Sequence, residues 1–203
     1  NLVGETLKEG KSAIVLVPEI SLTPQMIERF KGRFGKNVAL FHSKLSQGER
    51  FDEWYRIKRG EARLVVGARS AIFLPLDNLG IIIIDEEHEN TYKSEQNPKY
   101  STKEVAKFLS EIKGCKYILG SATPSIETYY EALNGKLELV EIKNRVSNRP
   151  LPQMEIVDMR EELKSRNLSL LSRSLYNEMK DALERKEQII LFLNRREIGR
   201  ASC

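Results

Sequence analysis

Short runs of aliphatic residues recur along the chain, and no polar residue interrupts most of them. These runs predict strands at residues 13–17, 38–41, 63–67, 80–85, 116–120, 155–159 and 188–193. Strands without polar alternation are typical of a parallel sheet that helices cover on both faces. Amphipathic patterns between the runs predict helices near residues 23–34, 47–59, 102–113, 125–134 and 172–186. The alternation of strands and helices therefore predicts an α/β fold of the doubly wound type.

The pattern changes at the stretch KNRVSNRPLPQ, which is basic, contains two prolines and shows no periodicity. Such a stretch is typical of a linker between domains. We therefore predict a first domain at residues 1–143, a linker at 144–153 and the start of a second α/β domain at 154–203. The chain begins without a methionine and ends soon after a predicted strand, so we expect it to be a fragment.

The composition, with 40% hydrophobic and 31% charged residues, is that of a soluble globular protein. The net charge of +4 permits an acidic partner such as nucleic acid but does not require one. Cys115 and Cys203 show no paired spacing, which argues against a disulfide framework. The sequence shows neither a membrane-spanning run nor a signal peptide, so we expect a cytoplasmic protein without a membrane partner.

The stretch LGIIIIDEEHENTYK, residues 79–93, carries a fully apolar strand directly into acidic residues. A strand that ends in Asp85 and Glu86 has the layout of a Walker B element. In that element the aspartate holds Mg²⁺, and the glutamate activates the water that attacks the terminal phosphate. His88 is well placed to couple such a site to a neighbouring element. The alternative is a buried strand that simply reaches solvent at its end.

Three other strand ends carry residues that can bind a ligand, because ligands of parallel α/β sheets collect at the carboxyl ends of strands. In LGSATPS, a turn with two hydroxyls can sense a nearby phosphate, although Thr123 or Ser125 can equally cap a helix. In VPEISLTPQM, a helix start with Ser21 and Thr23 can hold a phosphate. In VGARSAIF, Arg69 can contact a nucleic-acid backbone or be an ordinary surface arginine.

The order of the motifs PEISLT, GARSAIF, DEEH, GSATPS and FLNRR resembles that of the superfamily 2 helicases. More narrowly, it resembles the bacterial replication-restart helicases, and the likeness extends from Gly10 to Arg196. The segment YKSEQNPKYS, residues 92–101, is similar to the aromatic loop of that family. The resemblance implies a RecA-like parallel sheet flanked by helices, which is the core of P-loop NTPase helicases. It also implies an ATP-dependent 3′→5′ DNA helicase that restarts stalled replication forks by primosome assembly.

The resemblance further implies roles for individual residues. Asp85 is expected to hold Mg²⁺ with the nucleotide, and Glu86 to activate water. His88 and Thr123 are expected to couple hydrolysis to movement, and the nucleotide-binding set also includes Gly120 and Ser121. The residues expected to contact DNA are Ser21, Thr23, Gly67, Arg69 and Ser70, with Tyr92, Lys93 and Tyr100 of the aromatic loop and Asn194, Arg195 and Arg196 of the last motif.

The cofactors implied are ATP and Mg²⁺, with zinc in the full-length family. The partners implied are single-stranded and forked DNA, other replication-restart proteins and the single-stranded-DNA-binding protein. A single cysteine near the end, Cys203, does not make the zinc module of the family, so no zinc site is expected in this chain. Glu197 stands where the family has a glycine after its asparagine-arginine-arginine motif.

The stretch GETLKEGKS, residues 4–12, imitates a phosphate-binding loop but departs from it in two ways. Five residues separate Gly4 from Gly10 where the motif has four, and the stretch precedes a strand instead of following one. We predict that Gly10 ends a helix. The loop of the family is expected upstream of this chain, so the chain alone is expected to hydrolyse ATP poorly or not at all.

Other functions are compatible with the motifs taken singly. A superfamily 2 RNA helicase or duplex translocase shares the core motifs, and competition between DNA and RNA strands separates them. A non-catalytic nucleic-acid-binding module predicts Mg²⁺-independent, salt-sensitive binding that Glu86→Gln leaves unchanged. A metal-dependent hydrolase built on Asp85, Glu86 and His88 is disfavoured, because adjacent residues at a strand end point in different directions.

Overall fold

The computed structural model describes residues 2–142 and 152–192. The chain divides into two compact units, Asn1–Val140 and Glu141–Cys203. None of the described helices is long and apolar enough to cross a membrane.

The first unit is built on a five-stranded sheet with the order β2-β3-β1-β4-β5, in which every neighbouring pair is parallel. The strands are β1 Ser12–Leu16, β2 Val38–Phe41, β3 Leu64–Gly67, β4 Leu79–Ile84 and β5 Lys116–Leu119. The first five predicted strands are therefore confirmed. Because all the strands run in one direction, their carboxyl ends share one edge of the sheet.

Five helices accompany the sheet, and the four predicted in this unit are confirmed. They are α1 Leu2–Lys8, α2 Pro24–Phe34, α3 Gln47–Lys58, α4 Thr102–Lys113 and α5 Ile126–Leu133. Short 3₁₀ turns lie at Glu19–Ser21, Gly35–Asn37, Arg69–Phe73 and Asn90–Tyr92. The architecture is the parallel sheet flanked by helices that the sequence predicts.

The four isoleucines of β4 serve both faces of the sheet. Ile82 and Ile84 belong to the core under α3 and α4, whereas Ile81 belongs to the core under α1 and α2, where Ile83 packs partly buried. Alternate side chains of a strand point to opposite faces, so an uninterrupted apolar run is what a strand covered on both sides requires.

Helix α1 ends as the sequence predicts, on Gly10. The glycine has a φ of +76°, and its N–H donates to the carbonyl of Leu7. The N–H of Lys11 donates to the carbonyl of Thr6, which completes a Schellman motif. The chain then enters β1 at Ser12. Residues 4–12 are thus a helix end that leads into a strand and do not form a phosphate-binding loop.

The second unit contains α6 Met159–Lys164 and α7 Arg173–Glu184 among its described residues. The helix predicted near 172–186 is confirmed, but the strand predicted at 155–159 is wrong. Asp158 accepts a hydrogen bond of 2.9 Å from the N–H of Arg160 and so begins α6.

The last predicted strand, 188–193, is also wrong over residues 188–192, which have no regular structure, and residue 193 lies outside the described residues. No strand pairs with either segment in the part of the chain that the structure describes. A strand forms only when a neighbour satisfies its backbone groups. The apolar side chains of Ile156 and Ile190 are accordingly exposed.

Candidate functional site

The candidate site lies at the carboxyl edge of the sheet, where β4 and β5 end side by side. The residue Asp85 directly follows β4, and Gly120 directly follows β5. The N–H of Gly120 donates to the carbonyl of Ile84 at 2.8 Å, which holds the two strand ends together. Sequence reasoning predicts this edge, because parallel α/β sheets bind ligands there.

Residues 85–88 form a tight turn that separates the carboxylates. The N–H of Asp85 is tied to the carbonyl of Leu16 at 2.9 Å, while its Oδ1 accepts the N–H of Glu86 at 3.1 Å. Glu86 has a φ of +47°, a left-handed conformation that is strained for a residue with a side chain. The turn leaves Asp85 exposed and the side chain of Glu86 43% exposed, whereas Glu87 is buried.

The turn at Asp85 is joined to the loop that follows β5. A Cβ added to Gly120 would lie 3.5 Å from Oδ1 of Asp85, so the missing side chain leaves space beside this carboxylate. The imidazole Nδ1 of His88 forms a hydrogen bond of 2.7 Å with the hydroxyl of Ser121 and lies 3.6 Å from the carboxylate of Glu86. The structure thus brings together these members of the predicted nucleotide-binding and catalytic sets. The last member of those sets, Thr123, donates its N–H to the Ser121 hydroxyl at 3.0 Å.

The buried carboxylate of Glu87 is the centre of a polar cluster. Its Oε2 accepts hydrogen bonds from the ammonium of Lys103 at 2.6 Å and from the hydroxyls of Ser125 and Thr128 at 3.0 Å each. Its Oε1 accepts the N–H of Ser125 at 2.6 Å. The N–H of Glu87 donates to the carbonyl of Gly120 at 3.0 Å. The cluster connects the turn after β4 with α4 and with the start of α5.

Tyr92 closes the turn from the other side. Its hydroxyl donates to the carbonyl of Asp85 at 2.7 Å, and only 2% of the residue is exposed. Burial and the neighbouring carboxylates raise the pKa of Tyr92 far above its usual range, so the phenol stays protonated. The ring packs in the core and leaves almost no surface for a base, so this structure gives no support to a direct DNA contact of the Tyr92 side chain, which stays a prediction.

Arg69 connects the GARSAIF segment with the aromatic loop. Its Nη1 donates to the carbonyls of Lys93, at 2.7 Å, and Thr91, at 3.3 Å. In the same region the ring of Tyr100 packs edge-to-face on Phe73, with centroids 5.1 Å apart. The segment and the loop, both predicted to contact DNA, are thus neighbours, and part of the Arg69 guanidinium is used in joining them.

Gly67 has a structural role that sequence reasoning missed. The residue is buried at the end of the interior strand β3, and a Cβ there would lie 2.3 Å from the carbonyl oxygen of Phe41. The close approach of β2 occupies the space above Gly67, so this structure gives no support to its predicted DNA contact, which stays a prediction. Its neighbour Ser70 is exposed.

The remaining predicted DNA-binding residues stay predictions. Thr23 is exposed, and its hydroxyl accepts the N–H of Met26 at 3.3 Å as the cap of α2. Lys93 is exposed, and Ser21 and Tyr100 are partly exposed. The residues Asn194, Arg195 and Arg196 lie outside the described residues.

A family model described as DEAD/DEAH box helicase matches residues 1–132, which include the whole candidate site. The chain belongs to this helicase family. The match includes the Asp85 turn and the loop after β5, so their juxtaposition belongs to a helicase core.

Two relatives of this chain are more specific than the family model. Replication restart protein PriA of Bacillus subtilis (strain 168) is 55% identical over 194 residues, which are 96% of this chain and 24% of that protein. The PriA of Synechocystis (strain PCC 6803) is 46% identical over 200 residues, with coverage of 96% and 24%. The chain therefore spans about a quarter of the length of these relatives. The expected resemblance to bacterial replication-restart helicases is confirmed.

One solved structure supports the fold of this chain. The structure of RecG bound to a three-way DNA junction matches with a TM-score of 0.55 and 21% sequence identity. The match covers 87% of this chain and 21% of RecG. At this identity the likeness supports the architecture alone.

Sequence reasoning missed Lys103, Ser125 and Thr128 as parts of the site. The three side chains meet on Glu87, although they lie 16 to 41 positions away from it along the chain. For Ser125 the sequence predicts only a helix cap. Glu87, the third position of DEEH, is the buried carboxylate of an otherwise accessible turn, and a buried carboxylate needs a partner. The third acidic residue of DEEH is thus the one feature of the sequence that indicates such a cluster.

The Glu87 cluster predicts a pH dependence of folding. Burial acts to raise the pKa of Glu87, but hydrogen bonds from Lys103, the Ser125 amide and Thr128 outweigh it and hold the pKa below its usual value of 4.5. A depressed carboxyl pKa stabilises the folded state above the unfolded pKa, and this stability is lost as pH falls through the folded pKa. We therefore expect the unfolding free energy to fall as the solution is acidified below 4.5.

The expected loss is measured by urea unfolding of this chain between neutral and acidic pH, with Glu87→Gln as the matched variant. Other carboxylates titrate in both proteins, so the difference between their pH slopes reports Glu87 alone. A wild-type slope equal to that of Glu87→Gln would contradict the assignment.

Proposed function

We propose that this chain provides the first motor domain, and the beginning of the second, of an ATP-dependent 3′→5′ DNA helicase that acts in replication restart. In this proposal residues 1–143 are the first RecA-like domain, 144–153 the linker and 154–203 the start of the second domain. The observation that carries the proposal is the Asp85–Glu86 turn, tied at the carboxyl edge of the sheet to the loop at Gly120.

The donor chemistry of this edge fits Mg²⁺ bound together with a nucleotide. Asp85 offers an exposed carboxylate, and Gly120 leaves space beside it. The described residues contain no group of three or more His, Cys, Asp or Glu that could hold a metal ion by themselves. Mg²⁺ in nucleotide sites is bound by one or two carboxylates plus the phosphates of the substrate, so one aspartate is what such a site needs. Bound Mg²⁺ supplies positive charge beside the phosphates.

The protein groups around this edge have distinct tasks. Asp85 holds the ion, and the half-exposed Glu86 orients a water molecule and accepts its proton. His88, hydrogen-bonded to Ser121, connects the carboxylate of Glu86 with the loop after β5. A movement of that loop can therefore be transmitted to the carboxylate of Glu86 through the imidazole of His88.

The binding of phosphates needs groups beyond this edge. Residues 4–12 form a helix end and a strand start, so they do not supply the amides and lysine of a phosphate-binding loop. We therefore expect the 203-residue chain alone to hydrolyse ATP slowly. Assays of function accordingly use a full-length chimera in which this chain replaces the matching segment of the Bacillus subtilis relative.

The proposed nucleic-acid contacts are single-stranded and forked DNA, bound by the exposed residues of the segments after β1 and β3 and of the aromatic loop. These are Ser21, Thr23, Arg69, Ser70, Lys93 and Tyr100, with Asn194, Arg195 and Arg196 from the last motif. Replication-restart proteins and the single-stranded-DNA-binding protein are the proposed protein partners. A bacterial cytoplasmic location follows from this role.

A strand-separation assay tests the proposal. The full-length chimera is given duplexes with a 3′ or a 5′ single-stranded tail, in DNA and in RNA. We expect ATP-dependent unwinding of the DNA with a 3′ tail, and loss of unwinding in the Asp85→Asn chimera. Unwinding that requires a 5′ tail, or that occurs on RNA alone, would contradict the proposed polarity or substrate. Tight DNA binding without any unwinding would favour a non-catalytic binding module.

A further inference from the structure

The Glu87 cluster contains an ion pair whose carboxylate is buried and whose ammonium is partly buried and fully hydrogen-bonded. The side chains of Glu87 and Lys103 are 1% and 22% exposed. An ammonium has three protons, and the Lys103 Nζ has three acceptors, at 2.6 Å on Glu87, 3.1 Å on Ser125 and 3.4 Å on Thr128. A buried ion pair of this kind is favourable only when its remaining donors and acceptors are also satisfied.

The hydroxyl of Ser125 shows that the cluster does more than cap a helix. Ser125 occupies the N-cap position of α5, where a serine side chain ordinarily accepts a hydrogen bond from the helix backbone. Here it makes no such bond and donates to Glu87 instead. The Ser125 hydroxyl therefore bonds the turn after β4 instead of capping the backbone of α5.

The cluster holds the residue next to the proposed hydrolytic glutamate. Glu86 has the left-handed φ of +47°, and a strained residue keeps its conformation only when its neighbours are fixed. On one side Asp85 is fixed by Leu16 and Tyr92. On the other side the residue directly next to it, Glu87, is fixed through its N–H to Gly120 and its carboxylate in the cluster.

We infer that Glu87 and Lys103 are positioning residues that hold Glu86 in its hydrolytic conformation without contacting the nucleotide. We call the Glu87–Lys103 ion pair, with its hold on the turn after β4, the clamp. The effect on ATP turnover rests on the proposed function, but the clamp itself is a property of this chain. Removal of the ammonium leaves a buried carboxylate without its charge partner, and the turn is then expected to detach from α4 and α5. The strain at Glu86 is released when this happens.

The first test is amide hydrogen exchange on the 203-residue chain, in the wild type and in Lys103→Met. The informative amides are those of Glu87, bonded to Gly120, and of Glu89, bonded to the carbonyl of Glu86. We expect both to exchange at least about tenfold faster in Lys103→Met, because local opening sets their protection. Unchanged exchange at these amides would overturn the clamp.

Two further variants keep the test decisive. Ser12→Ala removes a buried hydrogen bond of 2.7 Å to the carbonyl of Asp77 at the opposite end of β1, and is expected to leave both amides unchanged. The double variant Glu87→Gln/Lys103→Met contains no buried charge, so it is expected to fold even where the single variant does not. In the double variant the amides at positions 87 and 89 are expected to exchange more slowly than in Lys103→Met. Equal exchange would show that Glu87 and Lys103 do not act as a pair.

The second test is ATP turnover in the full-length chimera. Each single variant is expected to lower kcat about tenfold with little change in KM for ATP, and the double variant to lose less than the product of the single losses. A lowered melting temperature with an unchanged kcat would show that the cluster only stabilises the fold, and would overturn the positioning role. If the wild-type chimera does not hydrolyse ATP, the proposed function fails, while the exchange result still decides the clamp.

Discussion

Replacement of Glu86 by glutamine is expected to lower ATP turnover of the full-length chimera by about 10²–10⁴-fold, the usual contribution of a general base. Glutamine has nearly the shape of glutamate, but it cannot accept the proton of the attacking water. The side chain is 43% exposed at the open edge of the sheet, so the substitution buries no new polar group. Folding and ATP affinity are therefore expected to remain close to those of the wild type.

Single-turnover hydrolysis of prebound ATP, together with ATP affinity, checks this prediction. Glu89→Gln is a suitable control, because Glu89 lies in the same segment and its side chain has no place in the proposed chemistry. A loss of ATP affinity equal to the loss of turnover would place Glu86 in binding instead of catalysis. Wild-type turnover in Glu86→Gln would remove it from the mechanism.

The substitution Gly67→Ala is expected to destabilise the first unit by roughly 2–4 kcal/mol, because it inserts a methyl group into closely packed backbone. The new Cβ would lie 2.3 Å from the Phe41 carbonyl oxygen and 2.7 Å from the Cβ of Ala71. The same carbonyl accepts the N–H of Ala68 at 3.0 Å, so moving β2 away would also break that bond. No flexible side chain is available to absorb the clash.

Urea unfolding of the 203-residue chain measures this cost, with Gly48→Ala as the matched control. Nothing lies within 4 Å of a Cβ at Gly48, which is in the first turn of α3. Alanine there is expected to be neutral or to stabilise the helix by up to about 1 kcal/mol. Equal unfolding midpoints for Gly67→Ala and the wild type would show that β2 and β3 do not approach as closely as described.

Much of the first unit could be predicted from the sequence, because its apolar runs and amphipathic periods are local signals. The position of Asp85 at the carboxyl edge followed from the same patterns, since parallel strands place their ends together. The second unit was harder to predict. The residues around Ile156 and Ile190 have apolar composition, but without a pairing strand composition alone does not make a strand.

The arrangement within the site was less predictable, because it depends on contacts between distant residues. Membership of a motif does not separate a residue that faces a ligand from one that supports it. Tyr92 and Gly67 both lie in motifs and both proved to be buried. Lys103 lies in a helix with no motif, yet it holds the carboxylate of Glu87 at 2.6 Å. Only the packing of α4 against the sheet brings the two together.

The measurement that tests the central claim most directly is ATP hydrolysis by the full-length chimera with and without single-stranded DNA, beside the same protein with Glu86→Gln. If the turn at Asp85 and Glu86 is the hydrolytic edge of a DNA motor, DNA raises turnover in the first protein and has no effect in the second. Turnover that ignores both DNA and the substitution would contradict the account.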